Sequence, residues 1–487
     1  TRKESSAASD VYKRQALATV LAIQSCSDDY YDSLNVDPIN PSDVPAEYFV
    51  TNAVTSYFYQ MLNTNVNLNV FRLWSQQWNE TQYVEESNYD LETRNINGRL
   101  WTRLNTDVLF DLKSAKKLIE ENASLSASEK ANQLAIVDIL QVQAWMVLVD
   151  TFGDVPYTEA LQGGDNITPK YDDAKTIYTD LINRLKASVS GIEVSGSGFG
   201  SNDIVYKGNM SKWKKFGASL LLKAAVQISD ADNALAQSTV QEAVAFGIMT
   251  SNDDNFTLVY PGSEPYVNPL WDDLVNSGRA DFVAANTIVD QMNELNDPRR
   301  PKYFRENLGS GVFVGGVYGL ATPYATHTQI SDLLHRKDYP GNLLDYAEVK
   351  FLLAESAARG YAVGGSIESH YNDAILASME FWGVDSADAA AYLAQPSVAY
   401  SSASGTWKEK IGKQFYLAMY NKGFDAWTVV RRLDAPTMNI AATSGLPLPT
   451  RFTYPTAERN LNGANNSAAS AAIGGDELTT KLFWDKY

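Results

Sequence analysis

The sequence has few of the residues that build metal sites and disulfide frameworks. One cysteine and three histidines occur in 487 residues. A single cysteine excludes an intramolecular disulfide and a metal site made of thiolates. His327, His335 and His370 show neither the HxH nor the HExxH spacing of zinc enzymes. We therefore expect no metal centre and no cofactor.

Positive charge and long apolar runs are also scarce. There are 40 Lys and Arg residues against 58 Asp and Glu residues, which gives a formal net charge of -18. No cluster of basic residues follows the first fifteen positions. Because nucleic-acid binding requires a basic footprint, we expect no nucleic-acid partner. After the N-terminal region, no apolar run approaches the ~20 residues that span a bilayer.

The one cysteine lies in a segment that resembles a bacterial lipoprotein signal. Lys13 and Arg14 precede the apolar run Ala16–Ile23, as in a signal peptide. The sequence IQSC, which ends at Cys26, is similar to a lipobox, whose cysteine is acylated and becomes the mature N-terminus. We predict a signal peptide over residues 1–25, with an atypical leader before Lys13, and a lipid anchor at Cys26. The alternative is a lone buried cysteine behind a fragmentary helix.

Residues 26–45 are predicted to form a lipid-anchored tether. The acidic residues Asp28 and Asp29 follow the cysteine and resemble the surface-export signal of Bacteroidetes lipoproteins. The sequence DPINP at residues 37–41 is not helical, because the residue before a proline is driven to extended geometry. The protein is therefore expected to face outward from the cell.

Amphipathic helix patterns dominate the chain from residue 46 to residue 487. In one region, AEVKFLLAESAARGY, a glycine-rich turn and SHYNDAILASMEFW resemble a tetratricopeptide hairpin. No strict 34-residue period is visible, so any repeats are degenerate. We predict a single, mostly α domain, in which degenerate tetratricopeptide-like helix pairs form a scaffold with long irregular loops and few short strands.

Three long segments lack helical periodicity: Ser195–Gly208, Asn252–Arg279 and Gly309–His327. Irregular segments of this length inside a compact protein are usually functional.

An ordered set of segments resembles the SusD/RagB-like outer-membrane lipoproteins over essentially the full mature length. These segments are NVDPINPSDVPAEYFVTNAV, WMVLVDTFGDVPYTEAL, NDPRRPKYF, YAEVKFLLAESAARGY, GFDAWTVVRR, LPTRFTYPTAERNLNGAN and the terminal KLFWD. The resemblance implies a surface-exposed lipoprotein of the outer membrane that captures glycans, or peptides in some members, and is not an enzyme. It also implies a partner, a SusC-type TonB-dependent transporter over which the lipoprotein sits as a lid.

Saccharide capture requires aromatic faces for the sugar ring and polar side chains for its hydroxyls. Aromatic residues in or near irregular segments are therefore the candidates, although packing is an alternative role for each of them. Trp74, Trp78 and Tyr83 are one such group, which lies among glutamine and asparagine residues. The predicted ligand-binding residues are Trp74, Trp78, Tyr260, Tyr266, Trp271 and Tyr318.

Other functions stay open at the level of sequence. A glycan-degrading enzyme requires two carboxylates at a set separation, and 58 acidic residues do not exclude such a pair. No catalytic motif is present, and a helical-repeat adaptor for another protein is a further alternative. The aspartate pairs at residues 28–29, 172–173, 253–254 and 272–273 do not follow the EF-hand calcium pattern, so we expect them on a solvated face.

Overall fold

The computed structural model describes residues 44–486. The predicted signal peptide, the predicted lipid anchor Cys26 and the predicted tether up to residue 43 lie outside this range. The chain divides after Pro45, and the fold is that of the residues from Ala46 on.

Helices account for most of the described residues. The helices of the first half are α1 (Ala46–Leu62), α2 (Phe71–Trp74), α3 (Ile96–Arg103), α4 (Asp111–Glu121), α5 (Ala127–Phe152), α6 (Ala174–Gly191), α7 (Met210–Gln227) and α8 (Asn233–Phe246). Those of the second half are α9 (Pro269–Trp271), α10 (Asn286–Glu294), α11 (Arg300–Tyr303), α12 (Tyr346–Ala358), α13 (Ile367–Phe381), α14 (Ser386–Leu393), α15 (Trp407–Ala418), α16 (Gly423–Leu433), α17 (Thr456–Leu461) and α18 (Gly463–Ala472). Two π-helical turns, Leu104–Phe110 and Asp272–Asn276, continue α3 and α9.

Six short strands form three two-stranded antiparallel ladders within the described residues. The strands are β1 (Trp78–Glu80), β2 (Val155–Pro156), β3 (Tyr171–Asp172), β4 (Phe256–Leu258), β5 (Phe282–Ala284) and β6 (Gly341–Leu344). β1 pairs with β5, β2 with β3, and β4 with β6. The prediction of a mostly α fold with few short strands is confirmed.

Helix α5 forms the centre of the scaffold. The Ser126 side chain accepts a hydrogen bond from the Glu129 amide at its start, and Gly153, at φ 87°, ends it in a conformation that favours glycine. Its length and hydropathy also fit a membrane span, but 89% of its most apolar window is buried inside the fold. A helix that is apolar on all sides and covered by neighbours is a core helix.

Consecutive helices pack in pairs, as α5 does with α6, α7 with α8, α12 with α13 and α15 with α16. In the pair α12 and α13, Asp345 caps the first helix, and Ser366 with Ser369 forms a capping box on the second. Phe351 of α12 contacts Tyr371 of α13 edge to face. The helix pairs predicted from the sequence are therefore confirmed.

Two segments that carry the family resemblance meet in a buried network of charges. Glu348 of α12 lies 2.8 Å from the Lys223 ammonium and 3.1 Å from that of Lys422. Arg432 of α16 also lies 2.8 Å from Glu355 of α12. Because a buried charge is costly unless it is paired, these residues fix how α7, α12 and α16 pack together.

Arg431 joins the C-terminal end of the chain to helix α5. Its guanidinium carbon lies 3.3 Å from the ring centre of Trp427 and 4.9 Å from that of Trp484. One of its nitrogens donates to the main-chain oxygen of Asp150 at 2.8 Å, and the Trp484 indole donates to the Asp150 carboxylate at 2.9 Å. The KLFWD end is therefore part of the core.

The aspartate pairs have structural partners. Asp173 caps α6 by accepting from the Thr176 amide at 2.8 Å. Asp254 is only 4% exposed and accepts from the Lys215 ammonium at 2.8 Å. The expectation of a solvated face is therefore wrong for Asp254.

Candidate functional site

Three of the predicted ligand-binding residues are buried in the core. Trp74 packs against the ring of Phe452 at 4.6 Å between centroids, and the Trp78 indole donates to the Tyr420 hydroxyl at 3.1 Å. The Tyr318 ring lies 6.1 Å from that of Tyr89. All three side chains are at most 1% exposed, so they have the packing role that the sequence allowed as the alternative.

The other three predicted residues lie in the irregular segment Asn252–Arg279. Tyr266 is 69% exposed, and Tyr260 is partly buried, which raises the pKa of its hydroxyl. Both line one cleft. Trp271 lies nearby in sequence, and the Lys337 ammonium covers its ring at 4.1 Å. The structure therefore brings Tyr260 and Tyr266 together and places Trp271 outside their cleft.

This first cleft, called the tyrosine cleft, has a volume of about 480 Å³. One wall is a face of α1, and the other is formed by β4 and the residues that follow it. Its lining residues are Thr51, Thr55, Ser56, Tyr59, Arg103, Ile204, Lys207, Leu258, Val259, Tyr260, Pro261, Pro265, Tyr266, Val267 and Pro269.

A second cleft, called the polar cleft, has a volume of about 310 Å³. It lies where the β1–β5 ladder meets the end of α1. Its lining residues are Thr64, Asn65, Val66, Asn67, Glu80, Gln82, Tyr83, Arg94, Asp273, Ser277, Arg279, Asp281 and Phe282. Amides, carboxylates and guanidinium groups thus surround an aromatic ring.

Tyr83 is the exposed aromatic residue of the polar cleft. Its side chain is 61% exposed, and its backbone lies in the left-handed region at φ 57°. Thr81, two residues earlier in the chain, is held against the other wall, because its amide donates to the Asp281 carbonyl at 2.8 Å. Tyr83 is a candidate aromatic residue of the sequence but is not one of the six predicted ligand-binding residues. The polar residues around Trp78 and Tyr83 in the sequence are alike, so only the burial of Trp78 in the fold distinguishes the two.

The arginines of the polar cleft are paired with carboxylates. Arg94 donates to Glu86, and Arg279 donates to Asp281 at 2.5 Å. The side chains of Asn65 and Asn67 are hydrogen-bonded to each other at 2.8 Å. The cleft therefore offers many hydrogen-bonding groups and little unbalanced positive charge.

Glu80, which lines the polar cleft, forms a buried carboxyl pair with Glu86. The Glu80 carboxyl accepts from the Ser87 amide at 2.9 Å and from the Ser87 hydroxyl at 2.7 Å. Burial and the neighbouring Glu86 raise the pKa of Glu80 well above its ordinary value. Burial also raises the pKa of Glu86, and Arg94 opposes that change. Glu80 therefore holds a proton more readily than an ordinary glutamate.

The two clefts adjoin at the C-terminal end of α1. Tyr59 lines the tyrosine cleft one turn before Thr64, whose amide donates to Asp273 at 2.7 Å in the polar cleft. Burial raises the pKa of the Tyr59 hydroxyl, and the negative charge of Asp273 raises it further. Residues at and just after this end of α1 therefore line the two clefts.

No group of three or more metal-ligating side chains occurs among residues 44–486. The geometry of the clefts is that of a binding surface, with an aromatic face and hydrogen-bonding groups around it.

Solved structures with the same fold include proteins with sugar ligands. A chitin-binding protein is 26% identical, with a TM-score of 0.78, and the match covers 91% of this chain and 100% of that one. A chitin-binding SusD homolog from Flavobacterium johnsoniae is 25% identical, with a TM-score of 0.76 and coverage of 91% and 97%. A SusD homolog from Parabacteroides distasonis, 22% identical with a TM-score of 0.79 and coverage of 91% and 98%, shows the fold alone.

No curated protein matches the chain. A family model described as starch-binding and associating with the outer membrane matches residues 38–455. This match over most of the chain shows that the protein belongs to the SusD-like family of starch-binding proteins associated with the outer membrane.

Proposed function

We propose that this protein captures an oligosaccharide at the cell surface and delivers it to a SusC-type TonB-dependent transporter. Family membership supports a binding role at the outer membrane. Two solved structures at 25–26% identity that are described as chitin-binding support a glycan as the ligand. Catalytic turnover is not part of the proposal.

The observation that carries the proposal is the exposed ring of Tyr83 among the hydrogen-bonding groups of the polar cleft. A sugar ring has an apolar C–H face and a rim of hydroxyls. The Tyr83 ring is suited to pack against the C–H face. Asn65, Gln82 and the carboxylates are suited to form hydrogen bonds with the hydroxyls. Tyr266 offers a second exposed ring in the adjoining cleft.

The test replaces Tyr83 with alanine. We expect binding of chito- or malto-oligosaccharides, measured by isothermal titration calorimetry, to weaken by about tenfold, because truncation of a central aromatic residue costs about 1–2 kcal/mol. Tyr48→Ala is the matched control, since Tyr48 is 64% exposed and lines neither cleft. Equal affinities of the two variants, or no oligosaccharide binding by the native protein, would contradict the proposal.

Three further readouts separate the alternatives. Binding of peptides instead of glycans would show that the protein is a peptide-binding member of the family. Release of new reducing ends from polysaccharides would support the glycan-degrading enzyme. Purification from outer membranes without a TonB-dependent transporter in the same complex would argue against the delivery step.

We also propose that residues 46–487 form one binding domain, held at the membrane by the acylated Cys26 and the tether of residues 26–45. The lipobox-like IQSC sequence supports this arrangement. Acyl chains contribute about 0.8 kcal/mol of membrane affinity for each buried methylene group.

A further inference from the structure

The tyrosine cleft differs from the polar cleft in its charge. Arg103 and Lys207 contribute two cations, and no Asp or Glu is among its fifteen lining residues. The polar cleft, in contrast, contains Glu80, Asp273 and Asp281. In a chain with a formal net charge of -18, a cleft lined by cations without carboxylates favours an anionic ligand.

The two cations are available to a ligand. Arg103 has one acidic neighbour, Asp107, at 3.6 Å, in a partly exposed pair of the kind that contributes little. Lys207 has no ion-pair partner within the described part of the chain. Its ammonium carries three donors, and the guanidinium of Arg103 carries five.

The remaining walls of the tyrosine cleft are suited to a sugar ring. Tyr59, Tyr260 and Tyr266 present aromatic surface, and Thr51 and Thr55 of α1 present hydroxyls. The Arg103 guanidinium lies 5.1 Å above the Tyr59 ring, which fixes the cation at the edge of this surface. The Tyr266 amide donates to the Ser263 carbonyl at 2.8 Å, which holds the exposed ring in a tight turn.

We propose that the tyrosine cleft binds an anionic sugar residue, carboxylated or sulfated, of the glycan that the polar cleft holds. This inference rests on the proposed function and adds the substrate class to it. In the polar cleft Arg94 and Arg279 are neutralised by Glu86 and Asp281, so a neutral sugar fits there. The acidic residue of the same chain then lies across Tyr266, with its anionic group between Arg103 and Lys207.

The experiment compares three oligosaccharide probes by isothermal titration calorimetry with the complete mature protein. The probes are a neutral chito-oligosaccharide, an oligogalacturonate that carries carboxylates, and a chondroitin sulfate oligosaccharide that carries both carboxylates and sulfates. We expect at least one anionic probe to bind more tightly than the neutral one, and to weaken when the salt concentration rises. The anionic probe that binds identifies the source of the charge.

Lys207→Gln and Arg103→Gln are the test variants. Each is expected to weaken binding of the anionic probe by about tenfold or more, because hydrogen bonds to charged groups are the stronger ones. The loss of affinity for the neutral probe is expected to be smaller than that for the anionic probe in both variants. Lys170→Gln, at a lysine that lines neither cleft, is the matched control.

The outcomes distinguish this inference from the proposed function. Neutral binding that depends on Tyr83, with no preference for anionic probes, would overturn the anionic assignment and leave glycan capture intact. Anionic binding that is unchanged in both glutamine variants would also overturn it. Loss of binding to all probes in the native protein would overturn both proposals. A thermal unfolding midpoint equal to that of the native protein establishes that each variant is folded.

Discussion

At the scale of single residues, burial separates the aromatic side chains that pack in the core from those that are exposed in a cleft. Trp74 and Tyr83 lie close together in the chain, but Trp74 contacts Phe452 in the core, whereas Tyr83 projects into the polar cleft. The residue types and the surrounding polar residues can be read from the sequence. The contact between Trp74 and Phe452 cannot, because the two residues are far apart in the chain and come together only in the folded protein.

The carboxyl pair Glu80 and Glu86 makes stability depend on pH. The pKa of Glu80 in the folded protein is raised by burial and by Glu86 above its ordinary value of 4.5. Its stabilising contribution is therefore fully present below that value and is lost as the pH rises through the folded pKa. Glu80→Gln keeps an oxygen acceptor for Ser87 and removes the titration.

We expect Glu80→Gln and the native protein to have similar unfolding midpoints near pH 4.5, the ordinary pKa of glutamate. The variant should become the more stable protein as the pH rises toward 8, in a series of thermal unfolding curves at about half-unit steps. Glu121→Gln is the control, because that carboxylate is on an exposed helix end. A difference between variant and native protein that does not change with pH would refute this role of Glu80.

At the scale of helices and strands, the periodicity of the sequence predicts the helix pairs well. The apolar residues at helical spacing in AEVKFLLAESAARGY lie in α12. The aspartate that caps α12, Asp345, and the serine capping box of α13 are both local sequence signals. The strands are harder to predict because each has at most four residues and its partner is distant in sequence. No local pattern in Trp78–Glu80 identifies Phe282–Ala284 as its partner.

Gly423 shows how one position of the GFDAWTVVRR segment controls helix packing. A side-chain carbon at this position would lie closer than 3.0 Å to the backbone of Phe71 and Arg72. The start of α16 therefore lies closer to α2 than it could if position 423 carried a side chain. The glycine is required for this contact, and backbone atoms cannot move aside as a flexible side chain can.

We expect Gly423→Ala to destabilise the protein by about 1–3 kcal/mol or more, because extra volume forces the backbone of α2 to shift. A guanidinium unfolding curve measures the loss. Gly191→Ala is the matched control, since no atom lies within 4 Å of the added carbon and the substitution should be neutral or stabilising. A Gly423→Ala variant as stable as the control would show that α2 and α16 are not tightly packed.

At the scale of the whole molecule, the segments that carry the family resemblance build the scaffold. Glu348, Glu355 and Arg432 pair with one another or with Lys223 and Lys422 in the buried network. These residues make the family recognisable in the sequence and say little about the ligand. Apart from Thr51, the residues that line the two clefts lie outside these segments, so the sequence predicts the scaffold more readily than the side chains that line the clefts.

The predicted lipid anchor gives a prediction for the complete protein. Cys26→Ala removes the thiol that the lipobox-like sequence offers for acylation. In a bacterial host with lipoprotein processing, we expect the variant to move from the membrane fraction to the soluble fraction while it keeps its glycan affinity. Fractionation and immunoblotting measure the shift. Membrane association that equals that of the native protein would refute the anchor.

The ladder between β1 and β5 also affects when the binding surface forms during folding. It joins residues about 200 positions apart, from Trp78 to Ala284, so most of the intervening chain has to be synthesised and exported before the polar cleft exists. We expect the helices, which rely on local contacts, to form earlier. If the proposed glycan spans the polar cleft, it contacts residues on both sides of the β1–β5 ladder, and its binding should raise the unfolding temperature of the complete chain.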